Sequence, residues 1–130
     1  MVAVKSFMVP RGKFITVERN MDSQTAARIM RDRGIGSLFV TNGKEIIGIL
    51  TDTDMVRRVV AAGADTHKTT VEQVMSAPIL TIEEDKTLLD ANDLMAKTHI
   101  RHLGVTQDGK LAGMISVRDL VLFLTNLPRK

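Results

Sequence analysis

The feature that most constrains the fold of this chain is an internal duplication. The segment GILTDTD at residues 48–54 returns as GMISVRD at residues 113–119, 65 positions later in a chain of 130 residues. Each copy joins a short apolar run, predicted to be a buried strand, to a hydroxyl residue that has a carboxylate three positions further on. That spacing is typical of a helix N-terminus. The duplication therefore predicts two similar structural units, each with a strand-to-helix junction at the same place.

The elements around the two junctions repeat in the same order. The predicted strands lie at residues 14–17, 38–41, 46–50, 79–82, 103–105 and 112–115, and the predicted helices at residues 25–33, 53–62, 71–75, 87–97 and 117–124. Asn42-Gly43 and Asp108-Gly109 are strong hairpin-turn signals between paired strands. In the helix at residues 53–62 we predict that Met55, Val56, Val59 and Val60 are buried.

The fold class that follows is α/β (α+β), built from two β-α-β-β-α repeats at residues 1–66 and 67–130. A repeat of about 60 residues is marginal as an independent domain, because its sheet is incompletely covered. We therefore expect the two repeats to pack through their sheets about a pseudo-twofold axis.

The composition argues against several kinds of catalytic site. The chain has no cysteine, which excludes a disulfide framework, a thiolate nucleophile and a cysteine-ligated zinc site. No phosphate-binding P-loop or G-x-G-x-x-G segment occurs. His99 and His102 have no acidic residue nearby in sequence to complete a metal site, and His67 lies apart from them in the connector. We expect a protein that is not an enzyme and that has neither a metal nor a cofactor.

Charge and aromatic content bear on the partners. The net charge of +3 is mild, and the aromatic residues are four Phe with no Trp or Tyr, so stacking platforms for single-stranded nucleic acid are nearly absent. The basic clusters Arg57-Arg58 and Arg129-Lys130 keep nucleic acid as a weak alternative. No apolar run approaches the roughly 18 residues needed to cross a bilayer. We expect a cytoplasmic protein without a membrane partner.

The ordered set of motifs, present twice, resembles the CBS domain, named after cystathionine β-synthase. The residues that carry the resemblance are GIGSLFV at 34–40 and GILTDTD at 48–54 in the first repeat, and HIRHLGV at 99–105 and GMISVRD at 113–119 in the second. The resemblance covers about residues 4–124. It implies a stand-alone CBS pair, or Bateman module, which is a regulatory unit that binds adenosine-containing ligands in clefts between its repeats and commonly forms a homodimer.

The resemblance also implies which residues bind the ligand. It places Thr51 and Asp54 in one cleft, completed by Arg101 and His102 from the other repeat, and Ser116 and Asp119 in a second cleft, completed by Ile35, Gly36 and Ser37. Arg118, beside Asp119, is either a further phosphate contact or a residue of the helix surface. The hydroxyl and the carboxylate would hold the ribose and the neighbouring phosphate. Because the basic pair serves the first of these clefts, we expect that cleft to bind phosphate better. Many family members have proline where this chain has Phe39 and Gly104, and the bulky Phe39 is expected to narrow one cleft.

Two interpretations of these residues remain open. From spacing alone, a hydroxyl followed by an aspartate is more often a helix cap than a ligand site, although one pair of residues can do both. The resemblance favours an energy sensor that binds AMP, ADP or ATP and signals to an unidentified protein, with S-adenosylmethionine and NAD as alternative ligands. The alternative is an interaction or oligomerisation module with empty clefts, which binds a partner through Val56 and Val60 or through Val121 and Leu124.

Overall fold

The two halves of the chain fold into the same order of elements. The computed structural model describes residues 2–126; the predicted basic tail at Arg129 and Lys130 lies outside them. In chain order the elements are a 3-10 turn at Val4–Ser6, β1 (Val9–Pro10), β2 (Thr16–Glu18), α1 (Ser23–Arg33), β3 (Ser37–Asn42), β4 (Glu45–Thr51), α2 (Asp52–Asp54, continued as a π-helix over Met55–Val60), α3 (Val71–Val74), β5 (Thr81–Glu83), α4 (Leu88–Thr98), β6 (His102–Gln107), β7 (Lys110–Ser116) and α5 (Val117–Thr125). This order confirms the two β-α-β-β-α repeats.

The chain divides into two compact units. The first unit comprises residues 15–79, and the second comprises residues 2–14 with residues 80–126. The segment that precedes the first repeat, residues 2–14, therefore belongs with the second unit, and the segment that precedes the second repeat, residues 71–79 with α3, belongs with the first. We call these two segments the lead-ins. The predicted repeat limits at residues 66 and 67 describe the duplication of the sequence and stay a prediction, as does the packing of the repeats through their sheets.

Both units contain the same sheet. In the first, β2 runs parallel to β3 and β3 antiparallel to β4; in the second, β5, β6 and β7 pair in the same way, and β1 adds an antiparallel strand to β7. The register shift after Val40 recurs after Val105, 65 positions later. The duplicated sequence therefore specifies a duplicated register.

Local signals explain where the first helix of each unit begins and ends. Asp22 accepts the Thr25 amide at 2.9 Å to cap α1, and Thr87 and Asp90 form a capping box at the start of α4. These bonds lower the pKa of both aspartates; the main causes are the Thr25 hydroxyl for Asp22 and the Thr87 amide for Asp90. At the C-termini, Gly34 (φ 62°) and His99 (φ 57°) adopt the left-handed conformation that ends a helix.

Each unit has its own apolar core. The first buries Val17, Ala26, Met30, Leu38, Val40, Leu50, Val59, Val71 and Val74, and the second buries Val4, Ile82, Ala91, Met95, Leu103, Val105, Ile115 and Leu120. Met30 and Met95 occupy equivalent core positions, as the helical spacing predicts. Within residues 2–126, no helix has the length and apolarity needed to cross a bilayer.

The burial predicted for the helix at residues 53–62 is partly wrong. Val59 is buried, whereas Val56 and Val60 are 61% and 73% exposed. The reason is their place on the helix: Val56 and Val60 each follow the residues of the core-facing side, Met55 and Val59, by one position, and successive residues lie about 100° apart around a regular helix. The segment is also π-helical, because the Ala61 amide donates to the Val56 carbonyl at 2.8 Å.

Candidate functional site

The candidate site in each unit lies where the last strand of the sheet meets the following helix. Thr51 ends β4 and Ser116 ends β7, and both have the extended backbone of an N-cap residue. The Thr51 hydroxyl accepts the Asp54 amide at 3.2 Å, and the Ser116 hydroxyl accepts the Asp119 amide at 3.2 Å. Each aspartate in turn accepts the amide of its cap residue, which completes two capping boxes. The helix-cap interpretation of these pairs is therefore confirmed in both units.

In the first unit, the Asp54 carboxylate is buried and both of its oxygens are engaged. Only 6% of the surface of Asp54 is exposed to solvent. Oδ2 accepts the Thr51 amide at 3.0 Å, and Oδ1 accepts the Ser76 hydroxyl at 2.9 Å. The Arg58 guanidinium stands 3.8 Å from Oδ1. A buried carboxylate needs such partners, because an unpaired charge away from water is strongly unfavourable.

In the second unit, the Asp119 carboxylate is more open. It is half-buried, and Oδ2 takes both of the side chain's hydrogen bonds, from the Ser116 amide at 2.8 Å and from the Ser116 hydroxyl at 3.0 Å. Oδ1 receives no donor from residues 2–126. Equivalent aspartates in the two units therefore have different surroundings.

The residues at the start of the neighbouring strand lie beside each junction. Ser37 pairs with Thr51 in the β3–β4 register, and His102 pairs with Ser116 in the β6–β7 register. The Asp52 amide donates to the Gly36 carbonyl at 3.0 Å, and at the equivalent place the Val117 amide donates to the Arg101 carbonyl at 3.0 Å. Each junction therefore lies next to the backbone at the start of the neighbouring strand in the same unit.

The predicted site residues therefore fall into two groups. Ile35, Gly36, Ser37, Thr51 and Asp54 belong to the first unit, whereas Arg101, His102, Ser116, Arg118 and Asp119 belong to the second. The completion of each cleft by residues of the other repeat stays a prediction. Phe39 is 1% exposed and lies within β3, where its amide donates to the Ile15 carbonyl.

The second unit also carries an open cavity of about 350 Å³ next to these residues. Its walls are formed by Asn92, Met95, Ala96, His99, Ile100, Arg101 and Val117. Arg101 and Val117 join this cavity to the Ser116–Asp119 junction, whereas the walls from α4 carry no motif that the sequence could have signalled. Within the described part of the chain, no three His, Asp or Glu side chains are grouped closely enough to hold a metal ion.

Sequence reasoning missed Ser76 and Arg58 as neighbours of Asp54. Ser76 is 22 residues away from Asp54 in the sequence, so no local spacing connects them. Arg58 lies four residues after Asp54; its side chain is 51% exposed, yet its Nη1 donates to the Met75 carbonyl at 2.7 Å.

Comparison with known proteins identifies the family to which these two units are similar. The CBS domain family model matches twice, over residues 4–61 and 71–126. An uncharacterized protein of Methanopyrus kandleri is 38% identical over 104 residues, which span 76% of this chain but only 53% of that protein. The CBS domain-containing protein YhcV of Bacillus subtilis is 34% identical over 107 residues, which span 82% of this chain and 76% of YhcV.

Solved structures show the same fold. A protein with CBS domains from Burkholderia ambifaria superposes with a TM-score of 0.81 at 34% identity, covering 90% of this chain and 87% of that one. CBSX2, solved in complex with AMP, superposes with a TM-score of 0.78 at 22% identity, covering 99% of this chain and 100% of that one. At that identity, the likeness to CBSX2 is one of fold.

Proposed function

This chain belongs to the CBS-domain family, as a tandem pair of CBS domains, and from that premise we propose that it is a regulatory module that binds an adenosine-containing ligand. AMP, ADP and ATP are the ligands we favour, and S-adenosylmethionine and NAD are the alternatives. The observation that carries the proposal is the presence, at both strand-to-helix junctions, of a hydroxyl and a carboxylate beside the start of the neighbouring strand.

The chemistry of these junctions suits a nucleotide. A carboxylate accepts hydrogen bonds from the two adjacent hydroxyls of a ribose, and charge-assisted bonds of this kind are the stronger ones. Arg101, His102 and Arg118 supply cationic or donor groups for phosphate oxygens. Backbone groups at residues 35–37 and 100–102 would meet the base. CBSX2 provides a case in which a protein of this fold holds AMP.

Regulation requires more than binding. A ligand shifts a conformational equilibrium only if it binds two states with different affinity, so the sensor must have a second state that a partner protein recognises. We propose a non-enzymatic role, in which the module acts in the cytoplasm as a homodimer that reports nucleotide occupancy to a protein target.

A second candidate function is protein interaction without a ligand. It is favoured by large apolar side chains on the surface: Val56 and Val60 on the π-helix are 61% and 73% exposed, and Val121 and Leu124 on α5 are each 52% exposed. Surfaces of this kind mark association sites more often than isolated apolar residues do.

Isothermal titration calorimetry with AMP, ATP and S-adenosylmethionine tests the proposal. We expect micromolar binding of at least one ligand to the wild-type protein. Asp54→Asn and Asp119→Asn retain an amide oxygen for the helix cap but lose the charge that strengthens a ribose hydrogen bond, so at least one of them should weaken binding about tenfold or more. The exposed Asp93→Asn variant on α4 is the matched control and should bind as the wild type does. If a folded protein gives no heat with any of the three ligands, the sensor proposal fails and the interaction module becomes the leading candidate.

A further inference from the structure

The segment that pairs with the last strand of the sheet differs between the two units. In the second unit, Val9 of β1 pairs with Met114; in the first, Ser76 forms the corresponding antiparallel bridge with Ile49. Ile49 and Met114 are 65 positions apart and are equivalent in the two repeats. Ser76 and Val9 therefore occupy equivalent positions beside the last strand of the sheet in their units.

At this position one unit has a hydrogen-bond donor and the other does not. The Ser76 hydroxyl donates to Asp54 Oδ1 at 2.9 Å, and the corresponding Val9 side chain has no group that could donate to Asp119. This accounts for the full engagement of Asp54, and for the absence, within residues 2–126, of a donor to Asp119 Oδ1.

The two units also differ in the side-chain contacts that hold these segments in place. Arg58 donates from Nη1 to the Met75 carbonyl at 2.7 Å while its Nε stands 3.8 Å from Asp54. The equivalent residue, 65 positions later, is Phe123, whose ring lies 5.4 Å from the ring of Phe7. The first unit thus holds its lead-in through a polar network centred on Asp54, and the second holds its lead-in through an aromatic contact that leaves Asp119 out.

We propose that Ser76 is a specificity-determining residue that makes the two clefts unequal, by donating to the Asp54 oxygen that a ribose hydroxyl would also use. This inference rests on the proposed function and deepens it. A ligand that uses Asp54 must compete with the Ser76 hydroxyl for Oδ1, whereas Asp119 Oδ1 has no competing donor from residues 2–126. The Asp119 cleft is therefore expected to bind a ribose more tightly than the Asp54 cleft. Arg101 and His102 predict the opposite order for phosphate.

Ligand binding at Asp54 would also affect the segment that carries Ser76. Ser76 belongs to the segment that follows α3, and Arg58 holds the carbonyl of the residue before it. A ribose that takes Asp54 therefore competes with one side-chain bond of this segment, while the backbone bonds between Ser76 and Ile49 stay in place.

The test compares two substitutions of nearly equal shape. Ser76→Thr keeps a hydroxyl at this position and Ser76→Val removes it, so an effect of shape alone changes both variants alike. AMP is titrated calorimetrically into each variant, both in the wild-type background and combined with Asp119→Asn, which isolates the Asp54 cleft. We expect Ser76→Val to bind at the Asp54 cleft roughly tenfold or more tightly than Ser76→Thr, because a competing hydrogen bond to a charged group is removed. The reciprocal Val9→Ser variant should weaken binding at Asp119 by a similar factor.

The outcomes separate this inference from the proposed function. If wild-type AMP binding is abolished by Asp54→Asn and kept in Asp119→Asn, or if Ser76→Val and Ser76→Thr bind equally at the Asp54 cleft, the inference is overturned while the sensor function stands. If no variant binds AMP, ATP or S-adenosylmethionine, both are overturned. Should Ser76→Val fail to fold, as circular dichroism would show, Ser76→Ala and Val9→Ser provide the same comparison.

Discussion

The glycines that open the duplicated motif, Gly48 and Gly113, are expected to differ in how well they tolerate alanine. A Cβ atom on Gly113 would lie 2.5 Å from the Val9 carbonyl oxygen and 2.9 Å from Met8 Sδ. The Val9 distance is roughly 0.9 Å shorter than the 3.4 Å at which ordinary contact begins. The obstructing atom belongs to the backbone of β1, so the β1–β7 pairing must shift to admit the methyl group.

At Gly48, the obstruction is softer. The added Cβ would fall on Met75 Sδ, the end of a flexible side chain, and would lie 3.0 Å from the Ser76 carbonyl oxygen. Methionine adapts readily to a change of shape, and the carbonyl must give by only a few tenths of an ångström.

These contacts set the magnitude of the effect. Overpacking of a close contact costs about 1–3 kcal/mol, and alanine in a strand is otherwise preferred to glycine by about 0.5–1 kcal/mol. We therefore expect Gly113→Ala to lower the free energy of unfolding by about 1–2 kcal/mol and Gly48→Ala by less than about 1 kcal/mol. Urea unfolding followed by far-ultraviolet circular dichroism, at one fixed protein concentration, measures both values. If Gly113→Ala is as stable as the wild type, or less affected than Gly48→Ala, the lead-in does not approach β7 as described.

Two further measurements address the caps and the lead-in. Because the pKa of Asp90 is lowered in the folded state, this carboxylate contributes stability above its ordinary pKa of 3.8 and loses it as the pH falls through the folded-state value. Asp90→Asn, which keeps a capping oxygen but does not titrate, should flatten the decline of the urea midpoint below about pH 4, and an unchanged slope would contradict this. Val4 is fully buried in the second unit's core, so Val4→Ala should lower the free energy of unfolding by about 1–3 kcal/mol, whereas Val121→Ala at a half-exposed position should change it by less than about 0.5 kcal/mol. Equal urea midpoints for these two valine variants would contradict the assignment of Val4 to the core of the second unit.

Local chemistry explains which elements were predictable. The hairpin turns contain Gly43 and Gly109 at positive φ, the conformation for which Asn-Gly and Asp-Gly pairs are selected. Helix caps involve residues three positions apart, so the spacing of Thr51 and Asp54 was sufficient to predict one. The exposed positions of Val56 and Val60 were not predictable from apolar spacing, because the adjacent pairs Met55-Val56 and Val59-Val60 do not show which member of each pair faces the core.

The sequence by itself determined the duplication, the order of strands and helices, the junctions at Thr51 and Ser116, and the family. These follow from patterns that are local or that repeat at a fixed distance, and neither requires knowledge of which distant residues meet. Only the tertiary structure decided that each lead-in joins the other repeat's sheet and that Asp54 and Asp119 are unequal. The reason is physical: the contact between Ser76 and Asp54 exists because a bridge to Ile49 brings the two side chains together, and no property of either residue in the sequence specifies that bridge.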